Sequence, residues 1–161
     1  MLHGTTFYGG SGSPSQCSFS TGNGCSAVFQ LTPPTAPGGT WSESIIYNFT
    51  GVNGDGAYPR AAVVVGKRGE IYTTTQYGGS DTSCSPCSSS AVLGCGTVFG
   101  LTPPATQGGA WTQKVLHSFS GQNGEGSMPV AGLAPSSTGT LYGTASAGGA
   151  AGVGTLFAVK L

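Results

Sequence analysis

The chain has 161 residues, of which 30 are Gly and 10 are Pro, about twice the combined share of an average protein, so turns dominate the fold. Charged residues make up 6% and five Lys or Arg balance five Asp or Glu, so the scattered cations Arg60, Lys67, Arg68, Lys114 and Lys160 cannot build the basic surface that nucleic acid requires. Recurrent Val, Ile, Leu and aromatic residues oppose a disordered chain, and no apolar run approaches the length of about 18 residues that a membrane span needs. Met1-Leu2-His3-Gly4 does not open a signal peptide.

In chain order, Leu2-His-Gly-Thr-Thr6 is followed by Cys25-Ser-Ala-Val-Phe-Gln-Leu-Thr-Pro-Pro34, Gly39-Thr-Trp41 and Asn53-Gly-Asp-Gly56. The same segments return as Ile71-Tyr-Thr-Thr-Thr75, Cys95-Gly-Thr-Val-Phe-Gly-Leu-Thr-Pro-Pro104, Gly109-Ala-Trp111 and Asn123-Gly-Glu-Gly126, shifted by 69 or 70 positions. Leu141-Tyr-Gly-Thr-Ala145 and Gly154-Thr-Leu-Phe157 begin a third copy. The chain is therefore one domain, 1–161, built of repeats at about 2–50, 51–120 and 121–161.

Each repeat reads as up to four short strands, a to d, rich in β-branched and aromatic residues and free of helical spacing. In the second repeat they fall at 61–65, 70–75, 97–101 and 111–119. Pro103 and Pro104 cannot donate to a ladder and end strand c, while Asn53-Gly54 and Asn123-Gly124 make tight turns. The expected fold is all-β, with antiparallel four-stranded blades in a β-propeller-like but incomplete array of about two and a half blades. The order b-c-d, a-b-c-d, a-b-c starts and stops within a blade, and the open edges favour association into a homo-oligomer. The repeat is long because residues 80–94 form an extended loop between b and c where the third copy has only 150–152.

Read together, Leu-Tyr-Gly-Thr, Gly-Thr-Val-Phe-x-Leu-Thr-Pro, Gly-x-Trp, Val-Leu-x-Ser-Phe and Asn-Gly-x-Gly resemble the Gloeo/Verruco (GloVer) tandem repeat of bacterial secreted or surface-anchored proteins. The resemblance covers nearly the whole chain and implies an extracellular β-repeat protein. It supplies no catalytic motif.

Cys17 and Cys25 are eight apart, as are Cys87 and Cys95 at the corresponding place 70 residues later. One disulfide across each long loop is expected, with Cys84 left over, and an extracellular or periplasmic location follows. The competing reading takes Cys84-Ser-Pro-Cys87 as a metal knuckle. Asp55 and Glu125 share a turn position, and with Asn53 and Asn123 they offer the oxygens that calcium favours, although acid-Gly pairs also simply make turns. Tyr8 and Tyr77, each before a Gly-Gly at the mouth of a long loop, are the first aromatic candidates for ligand contact. Trp41 and Trp111, at matched places, are expected to pack between blades. Arg60, Lys67 and Lys114 read as isolated solvated charges.

His3 occupies the slot of Tyr72 and Tyr142, and His117 that of Tyr47, which points to structural roles for both. Gly-x-Ser-x-Gly is absent, and a triad drawn from Ser11 or Ser118, His117, and Asp55 or Asp81 is no more than any Ser-rich sequence permits. Two functions are consistent with these residues. One is an extracellular repeat module that binds a polysaccharide or surface through its loops. The other is a small calcium-assisted hydrolase of lactones or esters, with His117 and Asp81 as catalytic residues, resting on analogy with calcium-bearing propeller lactonases.

Overall fold

The computed structural model describes residues 1–11, 24–81, 94–106 and 108–161. Among these residues it contains thirteen strands and no helix. The named strands pair antiparallel and none of the sheets closes on itself.

The first sheet runs β1 (Leu2–Thr6), β2 (Ala27–Thr32), β3 (Ser42–Asn48) in that spatial order. The second is β5 (Val64–Val65), β6 (Ile71–Thr75), β8 (Thr97–Thr102), β9 (Thr112–Ser118), extended by the pair β4 (Gly56–Ala57) and β7 (Tyr77–Gly78). In the third, β10 (Gly126–Pro129) and β11 (Ala134–Pro135) share one edge of β12 (Thr140–Gly148), and β13 (Thr155–Lys160) lies on the other. Strand a is thus two pieces, β4 with β5 and β10 with β11, and strand b of the second repeat is interrupted at Gln76. With those pieces joined, the order b-c-d, a-b-c-d, a-b-c read from the repeats stands.

Register repeats as closely as sequence does. Phe29 opposes Ile45 and Phe99 opposes Val115, with the same irregularity between Val28 and Phe29 as between Val98 and Phe99. Extra residues of this kind bend a strand and raise its twist. The sequence expectation missed β4 and the start of β10, because Gly56-Ala57 carries no β-branched residue. These segments leave the Asn-Gly-acid-Gly turn directly into a ladder, Gly56 opposite Gly78 and Gly126 opposite Gly148.

The cores lie between successive sheets. Val28, Phe49, Tyr58, Ile71, Phe99 and Leu101 form one, and Val98, Phe119, Leu133 and Leu141 the next. Ring pairs repeat across both junctions, Phe49 on Phe99 at 4.8 Å and Phe119 on Phe157 at 4.9 Å, both edge-to-face. Because β8 has a sheet on each face, Thr97 to Leu101 are all buried, whereas β13 alternates half-buried and exposed. Thr73, Thr74 and Thr75 of β6 are fully buried. Each finds a partner: Ala62 O, Ala131 O and the Thr97 hydroxyl respectively. Thr74 reaches into the third sheet just as Thr5 reaches Ala61 O of the second, at 3.3 and 3.2 Å. A buried hydroxyl costs free energy unless bonded, so these pairs fix how one sheet sits on the next.

Trp111 packs on the first core and meets His3 edge-on at 6.3 Å, which places it between sheets. Trp41, at the matched position in the first sheet, is 48% exposed. No helix among the described residues is long and apolar enough to cross a membrane.

Candidate functional site

Three groups of sequence candidates fall in different places. The first is the pair of Asn-Gly-acid-Gly turns. Asn53 and Asn123 take left-handed φ values of 55° and 52°, followed by Gly54 and Gly124 at 83° and 81°, the succession that a tight I′-type turn demands and that Asn and Gly adopt most readily. Both asparagines are exposed. The turn aims the acid inward. Asp55 Oδ2 accepts from Thr50 N at 2.7 Å and Thr50 Oγ1 at 2.9 Å, and Oδ1 from Gly56 N at 2.8 Å. Glu125 Oε2 accepts from Ser120 N at 2.8 Å and from the Ser120 hydroxyl, and Oε1 meets His117 Nε2 at 2.6 Å.

An aromatic-slot residue completes each cluster. Burial and the Asp55 carboxylate, to which the Tyr47 hydroxyl is bonded, hold that phenol well above its ordinary range. For Glu125, burial works to raise the pKa, and bonds from Ser120 and His117 overcome it, leaving the carboxyl below its ordinary 4.5. The two clusters match in size as well as position: the long Tyr47 meets the short Asp55, and the shorter His117 meets the longer Glu125. Both carboxyl oxygens in each cluster already accept N–H or O–H donors, the pattern of an anion locked into a turn. Among the described residues, no three His, Cys, Asp or Glu side chains converge as a metal-ligating group.

His117 and Glu125 line a cleft of about 250 Å³ beside β13. The chemistry available there is limited. His117 Nε2 faces Glu125, not Asp81, and Ser120 directs its hydroxyl at Glu125 rather than at the ring. A serine triad needs the nucleophile on the base and the base on its orienting acid, an arrangement these contacts do not make. Asp81 stands at the root of the second long loop, where Ser80 N donates to Ser118 Oγ at 3.3 Å. Ser11 N and Asn48 Oδ1 anchor the first loop in the same way at 2.9 Å.

The cysteines bracket these loops. Cys25 and Cys95 are fully buried. Their sulfurs rest 3.0 and 3.1 Å from the carbonyls of Thr50 and Ser120, the residues that donate to the two turn acids. Cys17, Cys84 and Cys87 lie outside the described residues.

The third group is aromatic. Tyr8 and Tyr77 come together through a residue that the sequence reading missed, Tyr58, whose ring lies 5.9 Å from one and 6.1 Å from the other. Phe7 joins at 4.6 Å from Tyr8 and 5.1 Å from Tyr58. Tyr58 is fully buried and held at φ 57°, its N–H donating to Cys25 O. Tyr8 is 50% exposed above it.

Arg60, read from sequence as an isolated charge, belongs to this cluster. Its guanidinium carbon lies 4.3 Å from the Phe7 ring centre, where a cation is drawn to the π face. Its Nε donates to Gln76 Oε1, and Gln76 Nε2 donates to the Tyr77 hydroxyl at 3.3 Å. Five of these positions change at the junction of the second and third sheets: Phe7 is replaced by Gln76, Tyr58 by Met128, Arg60 by Val130, Gln76 by Ser146 and Tyr77 by Ala147. The backbone does not change, since Met128 keeps φ 53° and donates to Cys95 O. The scaffold therefore needs neither the extra aromatics nor the arginine. The available signal was the place where repeats differ, whereas the sequence reading weighed places where they agree. No protein-family profile, no curated protein and no solved structure matches this chain.

Proposed function

We propose that the chain is a non-catalytic extracellular or periplasmic repeat module that binds a polysaccharide through the aromatic surface of Phe7, Tyr8 and Tyr77 with Arg60 and Gln76. The observation that carries this reading is the departure from the repeat at the first junction, where the exposed Tyr8 ring, the half-buried Phe7 and Tyr77 rings and polar side chains stand on a framework that the second junction builds from Met128 and Val130. Aromatic faces stack on the apolar faces of sugar rings, and guanidinium, amide and phenol groups bond to sugar hydroxyls. The sheets are arranged in the manner of propeller blades, Cys17–Cys25 and Cys87–Cys95 bridge the long loops, and the resemblance to the GloVer repeat gives the bacterial surface as the setting.

The test is affinity electrophoresis through gels containing xylan, mixed-linkage β-glucan or carboxymethylcellulose, with sedimentation on chitin and peptidoglycan. Retardation on at least one polymer is expected, weakened at least about tenfold by Tyr8→Ala, the loss typical of a truncated aromatic anchor. Indifference of the wild type to every polymer overturns the reading. Running each gel with calcium and with chelator tests the calcium-assisted alternative, as does turnover of lactones and nitrophenyl esters. Turnover abolished by chelator and by Asp81→Ala establishes the hydrolase in place of the binding module.

A further inference from the structure

The cation of the first junction has no anion of its own. The acids of the chain are Glu43, Asp55, Glu70, Asp81 and Glu125. Glu70 pairs with Arg68, Glu125 pairs with His117, and Asp55 is bonded to Thr50 and Gly56. Among the described residues, which include all five acids, none lies within ion-pair distance of Arg60. Arg60 is exposed but not loose, because the Phe7 ring lies 4.3 Å from its guanidinium carbon and Gln76 Oε1 accepts from its Nε. Fixing a long charged side chain costs rotamer entropy. The fold does not require it, since the second junction has Val130 at the same position.

The hydrogen bonds of this cluster run in one direction. Arginine carries only N–H groups and can only donate, so Gln76 turns its oxygen to Arg60 and its amide nitrogen donates to the Tyr77 hydroxyl oxygen at 3.3 Å. The amide and phenol oxygens are therefore engaged by donors of the cluster itself, whereas the two terminal amino groups of Arg60 make no hydrogen bond among the described residues. We infer that the ligand of this surface is a carboxylated polysaccharide, a polyuronate, one carboxylate of which pairs end-on with Nη1 and Nη2 of Arg60 while a sugar ring lies on Tyr8. A planar carboxylate fits the guanidinium fork through two parallel N–H···O bonds. It only accepts, matching a group that only donates, whereas each hydroxyl of a neutral sugar brings a proton that needs an acceptor as well. This inference rests on the polysaccharide reading and narrows it to one class of polymer.

The test runs the whole chain through affinity gels whose polymers share a backbone and differ in charge: polygalacturonate against its methyl ester, and carboxymethylcellulose against hydroxyethylcellulose. Dextran sulfate serves as a polyanion without carboxylates. The wild type should be retained by the carboxylated member of at least one pair, and at least about tenfold more weakly by the neutral member. Arg60→Gln should weaken that retention at least about tenfold. Lys114→Gln removes the same charge from an exposed position on β9 and should leave retention within about twofold, as an isolated surface charge contributes little. Equal retention by both members of every pair overturns the inference and leaves the polysaccharide reading standing, while retention by no polymer overturns both. Equal losses in Arg60→Gln and Lys114→Gln, or retention by dextran sulfate as strong as by the carboxylated polymers, reduce the effect to net charge and also overturn it. If Arg60→Gln does not fold, the wild-type comparison within each pair and against dextran sulfate decides.

Discussion

The matched sizes of Tyr47 with Asp55 and His117 with Glu125 define a double-mutant cycle. His117→Tyr forces a longer ring against Glu125, and overpacking a half-buried site of this kind costs about 1–2 kcal/mol. Glu125→Asp withdraws the carboxylate by one methylene from His117 Nε2 and Ser120 N, now at 2.6 and 2.8 Å. Bonds to a charged acceptor contribute about 1.5–3 kcal/mol when buried. The Glu125 side chain is 32% exposed, so water replaces part of the loss and the cost is nearer 1 kcal/mol. Independent effects would sum to about 2–3 kcal/mol, or roughly 5–10 °C at this size. The double variant rebuilds the Tyr47–Asp55 arrangement and should melt within about 3 °C of the wild type, a coupling of about 1.5 kcal/mol. Thermal unfolding followed by circular dichroism measures all four proteins. Strict additivity would show that the two side chains do not act as one lock, and the assignment of both acids to the turns would fail.

Other consequences are simpler. Thr74→Val leaves the space filled but removes the donor to Ala131 O, and should cost about 1 kcal/mol in urea unfolding; an unchanged midpoint would remove this contact from the forces that stack the sheets. Because the Glu125 pKa lies below its ordinary 4.5 in the folded chain, its stabilisation is complete above that value and is lost as pH falls through the folded-state pKa. Glu125→Gln should flatten the acid limb of a stability–pH profile, and a profile of unchanged slope would contradict this. Reduction of a bridge closing the eight-residue step from Cys17 to Cys25 should cost about 2.5 kcal/mol in the chain-entropy model. A melting temperature indifferent to reductant would argue against that pairing.

The repeat made most of the fold legible. Where Gly-Thr-Val-Phe, Trp and Asn-Gly-acid-Gly recur, strand, register and turn recur with them, since each fixes a local geometry that the same residues impose again. The short pieces β4 and β10 escaped because Gly56-Ala57 and Gly126-Ser127 earn no strand propensity and are held by pairing with Tyr77-Gly78 and Ala147-Gly148. Asp55 and Glu125 could be placed at one turn position from sequence, but the direction of their carboxylates could not. Their partners Thr50 and Ser120 lie five residues back and reach them because of the turn's left-handed residues. Tyr58 and Arg60 were hidden for another reason. They meet Phe7 and Tyr8 about fifty residues away across a sheet junction, and no local pattern encodes that contact.

The central claim is that the aromatic surface at the first junction exists for a ligand and not for the fold. The most direct test replaces three of its distinguishing residues by those of the second junction in one variant, Phe7→Gln with Tyr58→Met and Arg60→Val, and measures thermal unfolding and polysaccharide retention on the same preparation. The account predicts a protein that still unfolds cooperatively, since Met128 adopts the backbone of Tyr58 with the same main-chain bond, at a midpoint lowered by the loss of the buried Tyr58 ring from the first core, and that has lost its retention on polymer. A variant that no longer folds would make the cluster structural, and one that folds and is still retained would place the binding surface elsewhere; either contradicts the claim.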